Sequence, residues 1–299
     1  MIEKKFFQNI FLSCIFVLPN SSTMTIPSEQ HFPFVSDPAA LALIVRNVRE
    51  TMSAYLQKCH LKSLVLGISG GIDSALCAAL LKPVCEQNNI PLIGRSITIE
   101  TNKQDEIDRS IAVGEAFCHD FEHIDLTETF LVNKKLLVRY DDSMLSKLRQ
   151  GNMKARMRMM VLYDLAQLNG GMVISTDNYT EFLTGFWTLH GDVGDYAPIM
   201  HLWKTEVFNV ASFLLGECSE LQYKALKPCI DATPVDGLGI SSCDCEQLGV
   251  PNYTEADKIF ERYFHGEKSL EEHPLIKRYL GSQYKRENPL SIPRTKLIQ

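Results

Sequence analysis

The 299 residues are 45% hydrophobic and 22% charged, a globular composition that fits one large α/β domain with or without a small appendage. A net charge of -6 gives no basic field for gathering nucleic acid, so no nucleic-acid partner is expected. The nine cysteines are scattered and form no CxxC, which suits a reducing cytoplasm rather than a disulfide framework; the close pair Cys243 and Cys245 lacks the second pair that a metal site would need.

Lys4-Lys5 ahead of Phe6-Phe7 and the run Ile10 to Leu18 imitate the start of a secretory signal. The apolar stretch is too short to span a bilayer and no A-x-A site follows, so no membrane partner is expected and Met24 is the favoured start. Residues 1–36 then count as an N-terminal extension and 37–299 as a single domain with a C-terminal arm. Asp37-Pro38 gives a cap and first-turn signal for a helix to Cys59, with Leu41, Ile44, Val45, Val48, Met52 and Leu56 at helical spacing. Ser63 to Ile68 is a short continuous apolar run, the pattern of a buried parallel strand.

Gly70-Gly71 breaks that run, and helical spacing resumes from Asp73 to Leu81. Strands are expected at Ile90–Ile99, Phe121–Ile124 and Gly171–Ser175, and helices at Asp105–Phe117 and Met153–Leu168. Alternating strands and helices imply right-handed crossovers and a doubly wound, Rossmann-like parallel sheet with helices on both faces. Beyond Pro274 the tail is basic and punctuated by Pro289 and Pro293, which reads as a docking arm or a partly disordered end.

The chemistry concentrates where the first strand enters its helix, at Gly67, Ile68, Ser69, Gly70, Gly71, Ile72, Asp73 and Ser74. Glycines there let the backbone approach an anion, Ser69 and Ser74 add hydroxyl donors, and the helix N-terminus supplies amides at the positive end of its dipole. The Gly-Lys-Ser/Thr ending of a Walker loop is absent. A glycine turn with Asp73 as a helix cap is the plain alternative.

The SGGxDS pattern resembles the pyrophosphate-gripping loop of the enzymes that cleave ATP to AMP, the adenine nucleotide alpha-hydrolase-like group. Further segments narrow this. Gly151-Asn152-Met153-Lys154-Ala155-Arg156-Met157-Arg158-Met159 resembles the GNxxARxRM segment of NAD synthetases. Ser175-Thr176-Asp177-Asn178-Tyr179-Thr180-Glu181, followed by Leu183 to Thr188, resembles their GTDxxxE…TGFFT block. Gly191-Asp192, Leu202-Trp203-Lys204-Thr205, Asp244 and Leu248-Gly249 follow in the family's order, so the resemblance runs from about Leu41 to Arg286.

A resemblance to ammonia-dependent NAD synthetases implies a ligase that amidates deamido-NAD with ammonia, through an acyl-adenylate and with release of pyrophosphate and AMP. It implies ATP and Mg2+, with Asp73 and Glu181 as magnesium ligands and Lys204 on phosphate, these three being the catalytic candidates. Thr176 and Thr233 are the ATP-contacting threonines by the same resemblance. Arg156 is implied at deamido-NAD, whereas Arg158 is read as structural.

Departures from the family pattern occur near the substrate. Leu189 stands where many members carry lysine, leaving His190 as a candidate replacement. The loop Gly191 to Asp195 is one residue short, so Asp192 and Asp195 both remain substrate candidates, with Asp244. The family's His-Lys-Arg is here Tyr284-Lys285-Arg286, and Tyr284 cannot titrate near neutral pH.

The residues ahead of Gly67 are too few for the amidohydrolase domain of glutamine-using relatives, so ammonium is the expected nitrogen source. The resemblance also implies a homodimer, compatible with apolar residues around much of the Met153–Leu168 helix. Two other readings are another enzyme with this loop and an inactive nucleotide-binding regulator.

Overall fold

The structure, a computed structural model, describes residues 34–100, 102–136, 141, 143–235 and 243–298. The signal-like segment and Met24 lie outside the described residues. Asp37 caps the first helix, accepting a bond from the Ala40 amide at 3.0 Å, and Pro38 opens α1 (Pro38–Cys59). There follow β1 (Leu64–Gly67), α2 (Ile72–Gln87), β2 (Leu92–Thr98), α3 (Gln104–Phe117) and β3 (Asp120–Asp125). Then come α4 (Thr127–Leu136), α5 (Met144–Leu168) and β4 (Met172–Ile174).

The four strands are parallel, in the order β3-β2-β1-β4. Pleating sends alternate side chains to opposite faces. Leu64, Leu66, Met172 and Ile174 join the core formed with α1, α2 and α3, while Val65 and Val173 meet Met159, Leu162 and Ala166 of α5. Burial on both faces accounts for the near-continuous apolar character of β1 and β4. The doubly wound sheet expected from the sequence is therefore present.

Boundaries differ in two places. The helix expected to end at Leu81 runs on through Pro83 to Gln87. Proline sacrifices one helical hydrogen bond, but Val84 and Cys85 beyond it are buried, and their packing outweighs that loss. The helix expected from Met153 starts nine residues earlier at Met144, where the Ser143 hydroxyl accepts from the Ser146 amide at 3.2 Å. Gly151 is thus a buried residue in mid-helix, not the punctuation it resembles.

Beyond β4 the chain forms α6 (Tyr179–Thr184), α7 (Lys204–Leu214), α8 (Glu220–Asp231), α9 (Asp244–Leu248), α10 (Tyr253–Phe264), α11 (Pro274–Gly281), α12 (Gln283–Arg286) and α13 (Arg294–Leu297). α7 and α8 extend the sheet core through Val207, Val210 and Leu226. A second apolar core joins α6, α9, α10 and α11 around Leu183, Trp203, Tyr253, Phe260 and Leu275.

From Pro274 to Arg286 the tail is folded onto the chain, which corrects the expectation of a docking arm or partly disordered end for that part, while residues 288–298 are exposed. α11 buries Leu275 and Ile276. Arg278 Nε donates to Thr184 O, Lys285 Nζ to Gly185 O and Trp187 O, and Arg286 to Leu183 O. A helix leaves its last carbonyls without intrahelical donors and carries negative charge at that end, so these cations are drawn to the end of α6. Among the described residues no helix is long and apolar enough to cross a membrane.

Candidate active site

Between β1 and α2 the loop builds a cradle from its own hydroxyls. Ser74 Oγ lies 3.0 Å from Ser69 Oγ, accepts from the Ser69 amide and donates to Gly71 O at 3.1 Å. Ser69 Oγ accepts from the Gly71 amide at 3.2 Å. Gly70 has a φ of +81°, and a Cβ there would drive into the Glu106 carbonyl of α3. Glycine is required both by the left-handed backbone and by this close approach. No side chain caps α2, so its first turn faces the cavity with Gly71, Ile72 and Asp73 in the lining.

The cavity, about 340 Å³, opens beyond the carboxyl ends of β1, β2 and β4. The chain winds outward from β1 through β2 to β3, then reverses to β4, so the cavity lies at the topological switch point where open α/β sheets bind ligands. The loop forms one wall, and Thr176, Asp177, Glu181, Asp192, Lys204, Thr233 and Asp244 lie on others.

Lys204 unites the charged groups. It begins α7, is 1% exposed, and its Nζ stands 2.5 Å from Asp73 Oδ2 and 3.0 Å from Glu181 Oε1. Asn178 completes the set: its Nδ2 donates to Asp73 Oδ1 at 2.8 Å, while its Oδ1 accepts the Glu181 amide as the cap of α6. The Tyr253 ring lies 5.0 Å below the ammonium and its hydroxyl donates to Asp244 Oδ2 at 3.0 Å. The three residues named as catalytic in sequence therefore converge.

One ammonium does not neutralise this much carboxylate. Burial, reinforced by Asp73, pushes Glu181 up, and burial followed by Asp192 pushes Asp177 up to about 7. Burial works against the Lys204 ammonium, but Asp73 and Glu181 outweigh it and hold its pKa above the ordinary lysine value. The immediate surroundings of Lys204 thus crowd carboxylates beside a cradle built for anions, an arrangement that a divalent cation would relieve. Among the described residues no cluster of three or more His, Cys, Asp or Glu side chains could hold a metal, so any ion here would rely on Asp73 and Glu181 plus ligand oxygens.

Substrate candidates divide. Asp192 lines the cavity and accepts from the Thr188 amide at 2.5 Å, its carboxyl pushed up by burial. Asp195 lies outside the lining, tied to Tyr163 and to the Val173 amide along the edge of β4. His190 is exposed with φ 60° and Arg156 is exposed with its Nε on Leu189 O at 3.2 Å; neither is in the lining. Lys285 is engaged with carbonyls, its pKa lowered to about 8 by burial and then by Arg278, while Tyr284 is exposed. Asp236 to Gly239, the departure after Thr233, lies outside the described residues.

Other residues of the site went unassigned in sequence. Arg158 binds Ile97 O at 2.8 Å, the structural part expected of it, yet also lines the cavity with Lys154, Arg95 and Arg109. Asn178 was detectable as the cap of an Asn-x-x-Glu box with Glu181.

The family model described as NAD synthase matches residues 44–289. The chain belongs to the NAD synthase family. Among curated relatives, the NH(3)-dependent NAD(+) synthetase of Finegoldia magna is 35% identical, covering 58% of this chain and 69% of that protein. The protein of the same name from Thermoplasma volcanium is 30% identical over 77% of this chain and 90% of its own length. In fold, the NMN synthetase of Francisella tularensis superposes with a TM-score of 0.68 at 24% identity, covering 86% of this chain and 99% of that one. The NH3-dependent NAD synthetase of Campylobacter jejuni gives 0.64 at 21% identity, with 85% and 99% covered. The fold is therefore that of the NAD synthetases.

Proposed function

We propose that the chain amidates deamido-NAD with ammonia to give NAD, consuming ATP and releasing AMP and pyrophosphate. The observation that carries this is the meeting of the Ser69–Ser74 cradle with Asp73, Lys204 and Glu181 in one cavity. Cradle amides and hydroxyls would hold the departing pyrophosphate, and Lys204 would supply positive charge where phosphate charge develops. Thr176 and Thr233, both in the lining of the cavity, would contact ATP. The nicotinate carboxylate attacks the α-phosphorus, and ammonia then displaces AMP from the acyl-adenylate, steps that demand alignment more than covalent participation by the protein.

Asp73 and Glu181 fit magnesium: hard carboxylate oxygens share one ammonium beside an anion cradle, and Mg2+ ordinarily takes one or two carboxylates plus phosphates and water. When bound, the ion would neutralise phosphate charge. Asp192 and Asp244 are the substrate candidates that line this cavity, and Lys285, bound to Gly185 O and Trp187 O, is a further one. Arg156, His190, Asp195 and Tyr284 remain candidates only for a part of the substrate reaching past the cavity. That part is expected at a homodimer interface, with the reaction in the cytoplasm.

The test is purified chain with ATP, Mg2+, deamido-NAD and ammonium, followed by NAD, AMP and pyrophosphate in equal amounts. Glutamine in place of ammonium is expected to support no NAD formation. ATP binding without pyrophosphate release would favour a regulatory module. Preference for nicotinate mononucleotide, giving NMN, would move the substrate while keeping the chemistry.

A further inference from the structure

Lys204 and Glu181 lie on different helices, and what fixes the two helices together is a buried carboxylate from a third. Asp257 is fully buried on α10, in the second core. Its Oδ1 accepts from Thr180 Oγ1 at 2.5 Å. Its Oδ2 accepts from the Thr205 amide at 2.9 Å and from Thr205 Oγ1 at 2.6 Å. Thr180 Oγ1 in turn accepts from the Lys204 amide at 2.9 Å. Thr180 directly precedes Glu181 on α6, and Thr205 directly follows Lys204 on α7.

We infer that Asp257 and Thr180 form a positioning clamp that sets the Lys204 ammonium against Asp73 and Glu181. The inference rests on the amidation reading above for what those groups do. A clamp of this kind is needed at that place. Trp203, which precedes Lys204 at the start of α7, gives no side-chain oxygen to the first turn in the way Ser or Asp would. The missing acceptors come from outside the helix, Asp257 for Thr205 and the Thr180 hydroxyl for Lys204. The clamp is also directional. Thr180 accepts from the Lys204 amide and donates to Asp257 Oδ1, and Asp257 can receive Thr180 and Thr205 at once because both its carboxylate oxygens accept. An Asn at 257 keeps only one acceptor oxygen, so it would turn an amide donor either toward Thr180 or toward the Thr205 pair.

The signal in sequence is a lone acid on an otherwise apolar helix face: Asp257 sits between Ala256 and Phe260, with Tyr253 one turn earlier, all buried. The second core, which already reaches the site through the Tyr253 ring, thereby also sets its geometry.

The experiment compares wild type with Thr180→Val, Thr180→Ser, Asp257→Asn and, as a stability control within the same core, Leu270→Ala. NAD formation is measured against ATP and deamido-NAD, with calorimetric ATP binding and thermal unfolding alongside. Thr180→Val and Asp257→Asn should lower kcat by about 10- to 100-fold, the range typical when a group orienting a site residue is removed, with each KM changed by less than about threefold. Thr180→Ser should restore kcat to within about threefold of wild type. Leu270→Ala should lower the unfolding temperature while leaving kcat intact well below it.

Wild-type kcat in Thr180→Val would overturn the clamp, as would failure of Thr180→Ser to rescue. Loss of cooperative unfolding in Thr180→Val would also overturn it, since the hydroxyl would then serve folding and not the site. A wild-type protein that binds ATP but makes no NAD would strike the amidation reading instead, and the clamp would then be judged on ATP binding across the same variants.

Discussion

At residue scale the decisive feature is a shared ammonium. Removing one partner of a buried ion pair usually costs about 3–5 kcal/mol because the other charge is stranded. Asp73→Asn does not strand Lys204, because Glu181 remains 3.0 Å from its Nζ. The fold should therefore survive while turnover falls by orders of magnitude, with the lost group serving phosphate charge. Glu181→Gln removes the carboxyl whose ionisation burial and Asp73 already oppose, so it should be neutral or stabilising above neutral pH while equally poor in turnover. Near-normal turnover in either variant, measured as NAD formed per minute, would show the site to be misassigned.

Asp177 gives a pH signature. Its folded pKa of about 7 lies above the ordinary value near 4, because burial and Asp192 oppose its charge. From about pH 4 to 7 the folded chain therefore holds a proton that the unfolded chain has lost, and stability from this group declines as pH rises through that window. Asp177→Asn cannot ionise, so its unfolding temperature relative to wild type should be higher at pH 8 than at pH 5. The full effect is at most about 4 kcal/mol, and neighbouring carboxylates will share it. A difference between variant and wild type that does not move with pH would refute the raised pKa.

At the scale of elements, the phosphate loop depends on one glycine. Gly70→Ala asks alanine to hold φ +81° and to displace the Glu106 carbonyl of α3. The left-handed backbone alone costs about 1–2 kcal/mol, and a displacement near 1 Å at a reacting group costs about 100-fold in rate. Unfolding midpoint and kcat should therefore fall together, with ATP binding weakened. An alanine variant with wild-type kinetics would mean that the loop does not hold phosphate in this conformation.

The same scale shows what the sequence could and could not disclose. Strands β1 and β4 were legible because burial on both faces writes continuous apolar runs, and α1 and α3 because one buried face writes helical spacing. The helices after β4 were not read. Those around the site are short: α6 has six residues and α9 five, less than two turns each, too few for a period to emerge. The start of α5 was misplaced because Gly151, a usual breaker, is buried in mid-helix. The loop, Asp73, Glu181 and Lys204 were legible as linked motifs. Asp177 was quoted within a motif without a role, and Asp257 sits outside all of them, acting only through contacts across more than 50 residues.

At the scale of the whole molecule, the unexplained surface lies along α5. Leu145, Leu148, Arg156, Met160 and Tyr163 recur at steps that keep to one helix face, and all are exposed, Met160 at 63%. The neighbouring face is spent on the sheet through Met159, Leu162 and Ala166. A soluble chain seldom leaves an apolar stripe of that length uncovered, and α4 adds exposed Leu131 and Val132 nearby in sequence. A second copy is the expected cover, since a two-fold axis pairs a stripe with itself and would bring Arg156 of each chain toward the other. Its guanidinium, which donates to Leu189 O, would then gain a phosphate- or carboxylate-bearing substrate lying between chains. Light scattering should show twice the 33.8 kDa chain mass. Met160→Glu, which places two like charges where the stripes meet, should give monomers that retain ATP binding in their own cavity but bind deamido-NAD at least about tenfold more weakly. Arg156→Ala should weaken deamido-NAD in the same way while leaving the dimer mass unchanged. If the Met160→Glu monomer kept full affinity for deamido-NAD, the shared pocket would be excluded, and Arg156 would have to act within its own chain.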